Sequence, residues 1–220
     1  MDKMIDFLQQ DKILSSIYVN NLTISEKEIV YSSDYSDTFF LTEGTAVLEV
    51  YSNNRWEALT VFKDKGLLGQ ETFSEKTIFN GMEFEYRVKA LTTCQVVRVD
   101  TDYLMNHMYV VPKMLFDYLE TNTMQYIMIV DNYKLVRHKL EQRLADLLLK
   151  WAIILNAYRS DDEIIFPNYI KYKMLAEALR SSKQRVYNIL KQWEDGNILS
   201  REEDNMVISY LGLSDIIYPQ

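Results

Sequence analysis

YKMLAEALRSSKQRVYNILKQWEDGNIL, running from Tyr172 to Leu199, is the stretch that decides the fold. Its apolar and small residues need two helices. Leu175 and Leu179 lie one turn apart on a first helix, and Val186, Ile189, Leu190 and Trp193 form an i, i+3, i+4, i+7 stripe on a second. Arg180-Ser181-Ser182 fits the joint, with Ser182 placed to cap the second helix. Small Ala176 falls where two steeply crossing helices approach most closely. The spacing therefore predicts a helix-turn-helix over residues 170–195. With the apolar stripe inward, Lys183, Gln184, Tyr187 and Asn188 emerge together near the start of the second helix, where a major-groove helix presents base-reading side chains. Lysine can donate to guanine, and glutamine or asparagine can bond adenine through two contacts. Arg185, Lys191 and the Ser182 hydroxyl sit at the edges of that surface, where phosphate contact is the expected role.

The charge distribution singles out the same segment. The chain carries a formal net charge of -8, which argues against unspecific coating of nucleic acid. Residues 169–193 nevertheless hold six basic side chains against one acidic. Residues 1–111 hold ten against 17, residues 112–168 seven against eight, and the last 27 residues one against six. Any DNA contact is expected in that one basic stretch.

Moving outward, Ile198-Leu199 and the run Met206 to Tyr210 flank an acidic turn, Arg201 to Asn205, and read as a β-hairpin wing. Upstream, an amphipathic helix over Leu140–Tyr158 leads through Ser160-Asp161-Asp162-Glu163 into a short strand, Ile164-Ile165-Phe166. A long helix is predicted from Pro112, since proline suits a first helical turn and no Gly or Pro follows for 26 residues. On it Phe116, Leu119, Thr123, Tyr126, Val130, Tyr133 and Arg137 keep the alternating 3, 4 spacing of a two-stranded coiled coil, the expected dimer seam. A second apolar set, Leu115, Ile127 and Ile129, is expected to pack on the helix's own domain. Before it, Glu28–Tyr31, Thr38–Leu41, Ala46–Tyr51, Ala58–Phe62, Phe84–Ala90 and Gln95–Val99 read as strands. Turn signals at Ser32-Ser33-Asp34, Glu43-Gly44, Ser52-Asn53-Asn54 and Lys65-Gly66 give the rhythm of an antiparallel barrel or jelly roll. The fold class is thus α+β: an N-terminal β-roll over residues 1–111, a dimerisation helix over 112–138 and a winged helix-turn-helix over 139–220.

The composition, 48% hydrophobic with few Gly and Pro, supplies ample core. The N-terminus, MDKMIDFLQQDKIL, is acidic and amphipathic, and no apolar run reaches the roughly 20 residues of a membrane span, so a cytoplasmic protein is expected. Cys94, the single cysteine, permits no internal disulfide and suits a buried strand position. Enzyme chemistry lacks support: residues 1–106 contain no histidine for a cupin-like metal site, no phosphate-cradling loop or Ser-His-Asp set is visible, and Glu83 and Glu85 read as solvated strand positions. The two histidines, His107 and His138, read as exposed helical residues and not as haem ligands. No catalytic residue, metal or cofactor is expected. An alternative from another class is a ligand-binding or protein-interaction module whose winged helix contacts protein.

The order of parts resembles the family of the catabolite activator protein and the fumarate-nitrate reduction regulator, the Crp/Fnr regulators, over nearly the whole chain. The marks are Phe39-Phe40-Leu41-Thr42-Glu43-Gly44, Gly66-Leu67-Leu68-Gly69, Ser181-Ser182-Lys183-Gln184-Arg185-Val186 with Ile189-Leu190-Lys191, and Trp193 to Leu199. The resemblance implies a cyclic-nucleotide-binding-like roll, a homodimer on an inverted-repeat DNA operator, RNA polymerase as a further partner, and Lys183, Gln184 and Asn188 at base-reading positions. It places a candidate effector pocket at Gly69, Gln70 and Tyr126. The departures argue against the family's known effectors. Gln70 stands where cyclic-nucleotide-binding members have a ribose-binding Glu, Phe84-Glu85 replaces their Arg-Ser phosphate pair, and Ile129 and Val130 replace adenine-bonding hydroxyl residues. The cysteines of an iron-sulfur cluster are missing before Cys94. Arg180 occupies a turn position where the family often has glycine.

Overall fold

A computed structural model describes residues 1–69, 85–131 and 138–218, the side chains of 126 and 128–131 excepted. The chain divides into two compact units, Met1–Arg55 with Phe62–Ile127, and Trp56–Val61 with Met128–Gln220.

Eight strands are described over residues 19–99: β1 (Val19–Ile24), β2 (Ile29–Ser32), β3 (Thr38–Glu43), β4 (Thr45–Ser52), β5 (Arg55–Lys63), β6 (Gly66–Leu68), β7 (Tyr86–Ala90) and β8 (Cys94–Val99). They form two four-stranded sheets in the orders β1-β8-β3-β6 and β2-β7-β4-β5, with antiparallel pairings such as Phe40 opposite Val97 and Leu48 opposite Val88. The α+β reading with antiparallel sheets is what the chain adopts. β3 explains why Phe39-Phe40-Leu41 does not alternate with polar residues: all three are buried, so the strand is covered on both faces. Phe39 meets the rings of Tyr31 and Tyr35. Phe40 joins Val97 and Val99 in a core with Met4, Leu8, Leu104, Met108, Met114 and Tyr118. The β3–β4 turn requires Gly44, whose φ is +100° and whose Cβ would lie 2.5 Å from the Thr93 carbonyl oxygen.

The helices supplying that core are α1 (Asp2–Leu8), α3 (Thr101–Val110) and the start of α4 (Pro112–Asp131), with α2 (Lys12–Tyr18) preceding β1. The sequence places His107 in a helix but sets no bounds for that helix, α3; its start is marked by Asp100, whose carboxylate accepts from the Tyr103 backbone N–H at 2.8 Å. His107 is helical but half-buried, edge-on to Phe7 and bonded to the Tyr103 carbonyl oxygen at 2.8 Å, so the expectation of exposure is corrected there. His138 is exposed but precedes the next helix instead of lying in one.

α4 begins at Pro112 as expected, but a different face meets the roll. Met114 and Tyr118 are buried, whereas Leu115 and Ile127 are 40% and 52% exposed. One residue of offset turns a helix by about 100°, so Met114 and Tyr118, one turn apart, displace the predicted set. The Ile129 side chain lies outside the described residues.

The second unit contains α5 (Leu140–Leu155), β9 (Glu163–Phe166), α6 (Tyr172–Ala178), α7 (Lys183–Asp195), β10 (Leu199–Glu202), β11 (Asn205–Ser209) and α8 (Tyr210–Ile217). β10 and β11 make the predicted hairpin, and β9 pairs with β11, Phe166 opposite Met206, to give the order β10-β11-β9. α5 stops at Leu155, short of Tyr158, because Asn156 adopts a left-handed conformation and its N–H turns back to the Ile153 carbonyl. Trp151, Trp193 and Phe166 are fully buried at the centre.

Candidate nucleic-acid interface

The joint between α6 and α7 is built from backbone chemistry. The Arg180 N–H donates to the Glu177 carbonyl and the Ser181 N–H to the Ala176 carbonyl at 2.8 Å, the paired bonds that end a helix through a left-handed residue. That residue is Arg180, with φ +49°. Ser182 then caps α7, its hydroxyl accepting from the Arg185 N–H at 3.3 Å.

Packing fixes which face of α7 is free. Val186, Leu190 and Trp193 are buried and Ile189 is half-buried, while Ser182, Lys183, Gln184, Arg185, Tyr187, Asn188 and Lys191 are all exposed. On α6, Leu175, Ala176 and Leu179 are buried. The exposed face has internal order. The Lys183 ammonium lies 5.5 Å from the centre of the Tyr172 ring, which meets Tyr187 edge-on at 5.9 Å. Gln184 Nε2 donates to Asn188 Oδ1 at 2.9 Å.

Two residues of α5 that sequence spacing did not single out hold this pair of helices. Glu141 accepts from Trp193 Nε1 at 3.0 Å, and Arg143 donates to the Leu179 carbonyl at 2.7 Å. One grips α7, the other the end of α6. At the far end of α7, Glu194 pairs with Arg201 of β10 at 2.6 Å, tying the β10–β11 hairpin to the helix. The sequence signal was thin, since all three contacts join residues from different elements.

The other predicted site residues are distributed as follows. On α4, Phe116 is 70% and Leu119 46% exposed, and Thr123 is exposed beside them. The Tyr126 and Val130 side chains, and Tyr133 and Arg137 entirely, lie outside the described residues. Of the candidate effector pocket, Gly69 is described, with φ +84°, and a Cβ there would lie 2.6 Å from the Asp37 carbonyl oxygen, too close to fit. Gln70 and Phe84 lie outside the described residues, and Glu85 is exposed. An unforeseen contact occurs nearby: the Gln125 carboxamide accepts from the Leu67 N–H and donates to the Leu67 carbonyl, both at 3.3 Å, completing the edge of β6 as a neighbouring strand would.

No family model matches the chain, and no curated protein matches it in sequence. Solved structures do match along its length. A cyclic nucleotide-binding domain containing protein from Listeria monocytogenes EGD-e has a TM-score of 0.72 at 19% identity, covering 96% of this chain and 98% of its own. A transcriptional regulator of the Crp/Fnr family from Eubacterium rectale gives 0.69 at 14% identity, covering 94% and 93%. The c-di-GMP responsive global regulator CLP of Xanthomonas campestris gives 0.72 at 13% identity, covering 94% and 99%. The fold is Crp/Fnr-like. At these identities the likeness establishes architecture, and the roles of individual residues in this Crp/Fnr-like chain rest on its own geometry. Among the described residues no helix is long and apolar enough to cross a membrane.

Proposed function

We propose that this chain is a sequence-specific DNA-binding transcription regulator of the Crp/Fnr type and not an enzyme. In this reading residues 1–111 are a sensor-like roll, 112–138 the dimerisation helix and 139–220 the DNA-binding domain. The observation that carries it is α7: a capped helix with its apolar stripe buried and seven polar, basic or aromatic side chains exposed on the remaining surface, inside the one basic stretch of an acidic chain. Ser182, Arg185 and Lys191 are assigned to phosphates, and Lys183, Gln184, Tyr187 and Asn188 to the surface that faces the base edges. The exposed Phe116, Leu119 and Thr123 support a second copy of the chain as partner along α4, which would set two recognition helices in successive major grooves of an inverted repeat about 34 Å apart. Cyclic AMP is not the effector in this reading, because the resemblance puts Gln70 and Phe84-Glu85 where its ribose- and phosphate-binding residues would stand.

The test is binding of the full chain to a randomised double-stranded library. Selected DNA should carry an inverted repeat, and its affinity should fall steeply with salt, because each phosphate contact releases counterions. Lys191→Ala should weaken all sites alike and lower the salt slope by about one ion. Affinity indifferent to salt, or no selected sequence, would instead favour the protein-interaction alternative.

A further inference from the structure

Gln184 and Asn188 are four residues apart on α7, hence neighbours on one helical face, and their carboxamides are bonded to each other. Gln184 Nε2 is the donor and Asn188 Oδ1 the acceptor, at 2.9 Å, and both side chains are exposed. The bond uses one of the two N–H groups of Gln184 and sets the plane of its amide. What Gln184 keeps is Oε1 as an acceptor and one N–H as a donor. In the major groove that pair matches adenine, which offers the N6 amino donor beside the N7 acceptor. Guanine presents two acceptors, O6 and N7, and would set one of them against Oε1. Gln184 also stands in the first turn of α7, the end that enters the groove, whereas Asn188 is one turn further along.

Resting on the DNA-reading role proposed above, we infer that Asn188 is a positioning residue that orients the Gln184 carboxamide, and that Gln184 so held reads adenine. A free glutamine side chain loses considerable rotamer freedom when it docks on a base; one already tied to its helical neighbour has given up part of that freedom before DNA arrives. Specificity at one base pair then depends on two residues, only one of which touches the base.

The experiment is binding-site selection followed by affinity measurement on single-base variants, using the full chain and its Gln184→Ala, Asn188→Ala and Asn188→Asp variants. Both residues are exposed, and a thermal unfolding scan of each variant checks the fold. The wild-type chain should select adenine at one position of each half-site and lose roughly tenfold or more when that base is changed. Gln184→Ala and Asn188→Ala should each flatten that same position and no other. Asn188→Asp keeps an acceptor for Gln184 Nε2 but lacks any N–H, so it should weaken all sites through charge repulsion and retain the adenine preference. An Asn188→Ala effect at a different position, or Asn188→Asp behaving as Asn188→Ala, would show Asn188 reading its own base and overturn the inference. Guanine at the Gln184-dependent position would overturn it too. Loss of all sequence-selective binding in the wild-type chain would remove the DNA-reading role as well, and so is distinct from those outcomes.

Discussion

Arg180 is the residue at which sequence and structure meet most directly. It stands where the resembled family often has glycine, and its φ is +49°. A non-glycine residue there carries roughly 1–2 kcal/mol of strain, part of which glycine returns through its freer unfolded chain. Arg180→Gly should therefore raise stability by about 0.5–1 kcal/mol, seen as a higher urea midpoint with an unchanged slope. Cys94 gives a prediction in pH. Burial, reinforced by the charge of Asp64, pushes its thiol from an ordinary 9.0 up to about 11. The folded state thus keeps a proton that the unfolded state releases. The resulting stability is fully present below pH 9 and is lost as the pH climbs toward about 11. Unfolding curves across that range should slope less steeply for Cys94→Ala, and an identical slope would assign the loss to other groups. The burial of Cys94 was legible from its strand; the size of its shift depends on Asp64 and on packing that no local pattern encodes.

Among elements, α7 was the most legible, because its cap, its stripe and its polar face all lie within one short run of sequence. Its support was not. Trp193 was read as a buried apolar residue, and it is buried, but its indole N–H also needs an acceptor, and that acceptor is Glu141, 52 residues earlier. Glu141→Ala leaves that donor without its acceptor and should cost about 1–3 kcal/mol. Trp193→Phe removes the donor, so the double variant should lose less than the sum of the two singles; strict additivity in chemical denaturation would deny the coupling. α4 teaches a related lesson. Its heptad spacing was readable, but the face turned to the roll was misassigned by one residue, since Leu115 and Met114 are equally apolar and only the facing core chose between them.

At the scale of the molecule, exposed Phe116 and Leu119 on one long helix predict association through α4. Sedimentation equilibrium should find the wild-type chain at twice its 26.1 kDa mass, and Phe116→Glu with Leu119→Glu at the single-chain mass with weaker hold on an inverted repeat. A dimer unaffected by both changes would place the interface elsewhere. The sequence by itself determined the helix-turn-helix, its free face and the antiparallel strands around Phe39 to Val99, because each follows from the repeat of one helix or strand and from the turn residues beside it. Tertiary structure alone decided that β3 is covered on both faces, that Gln125 completes the edge of β6 and that Glu141 and Arg143 hold α7 and the end of α6. Those contacts join residues tens of positions apart, and their partners are chosen by which buried donors and acceptors the packed elements leave to be satisfied, a condition that exists only once the chain has closed on itself.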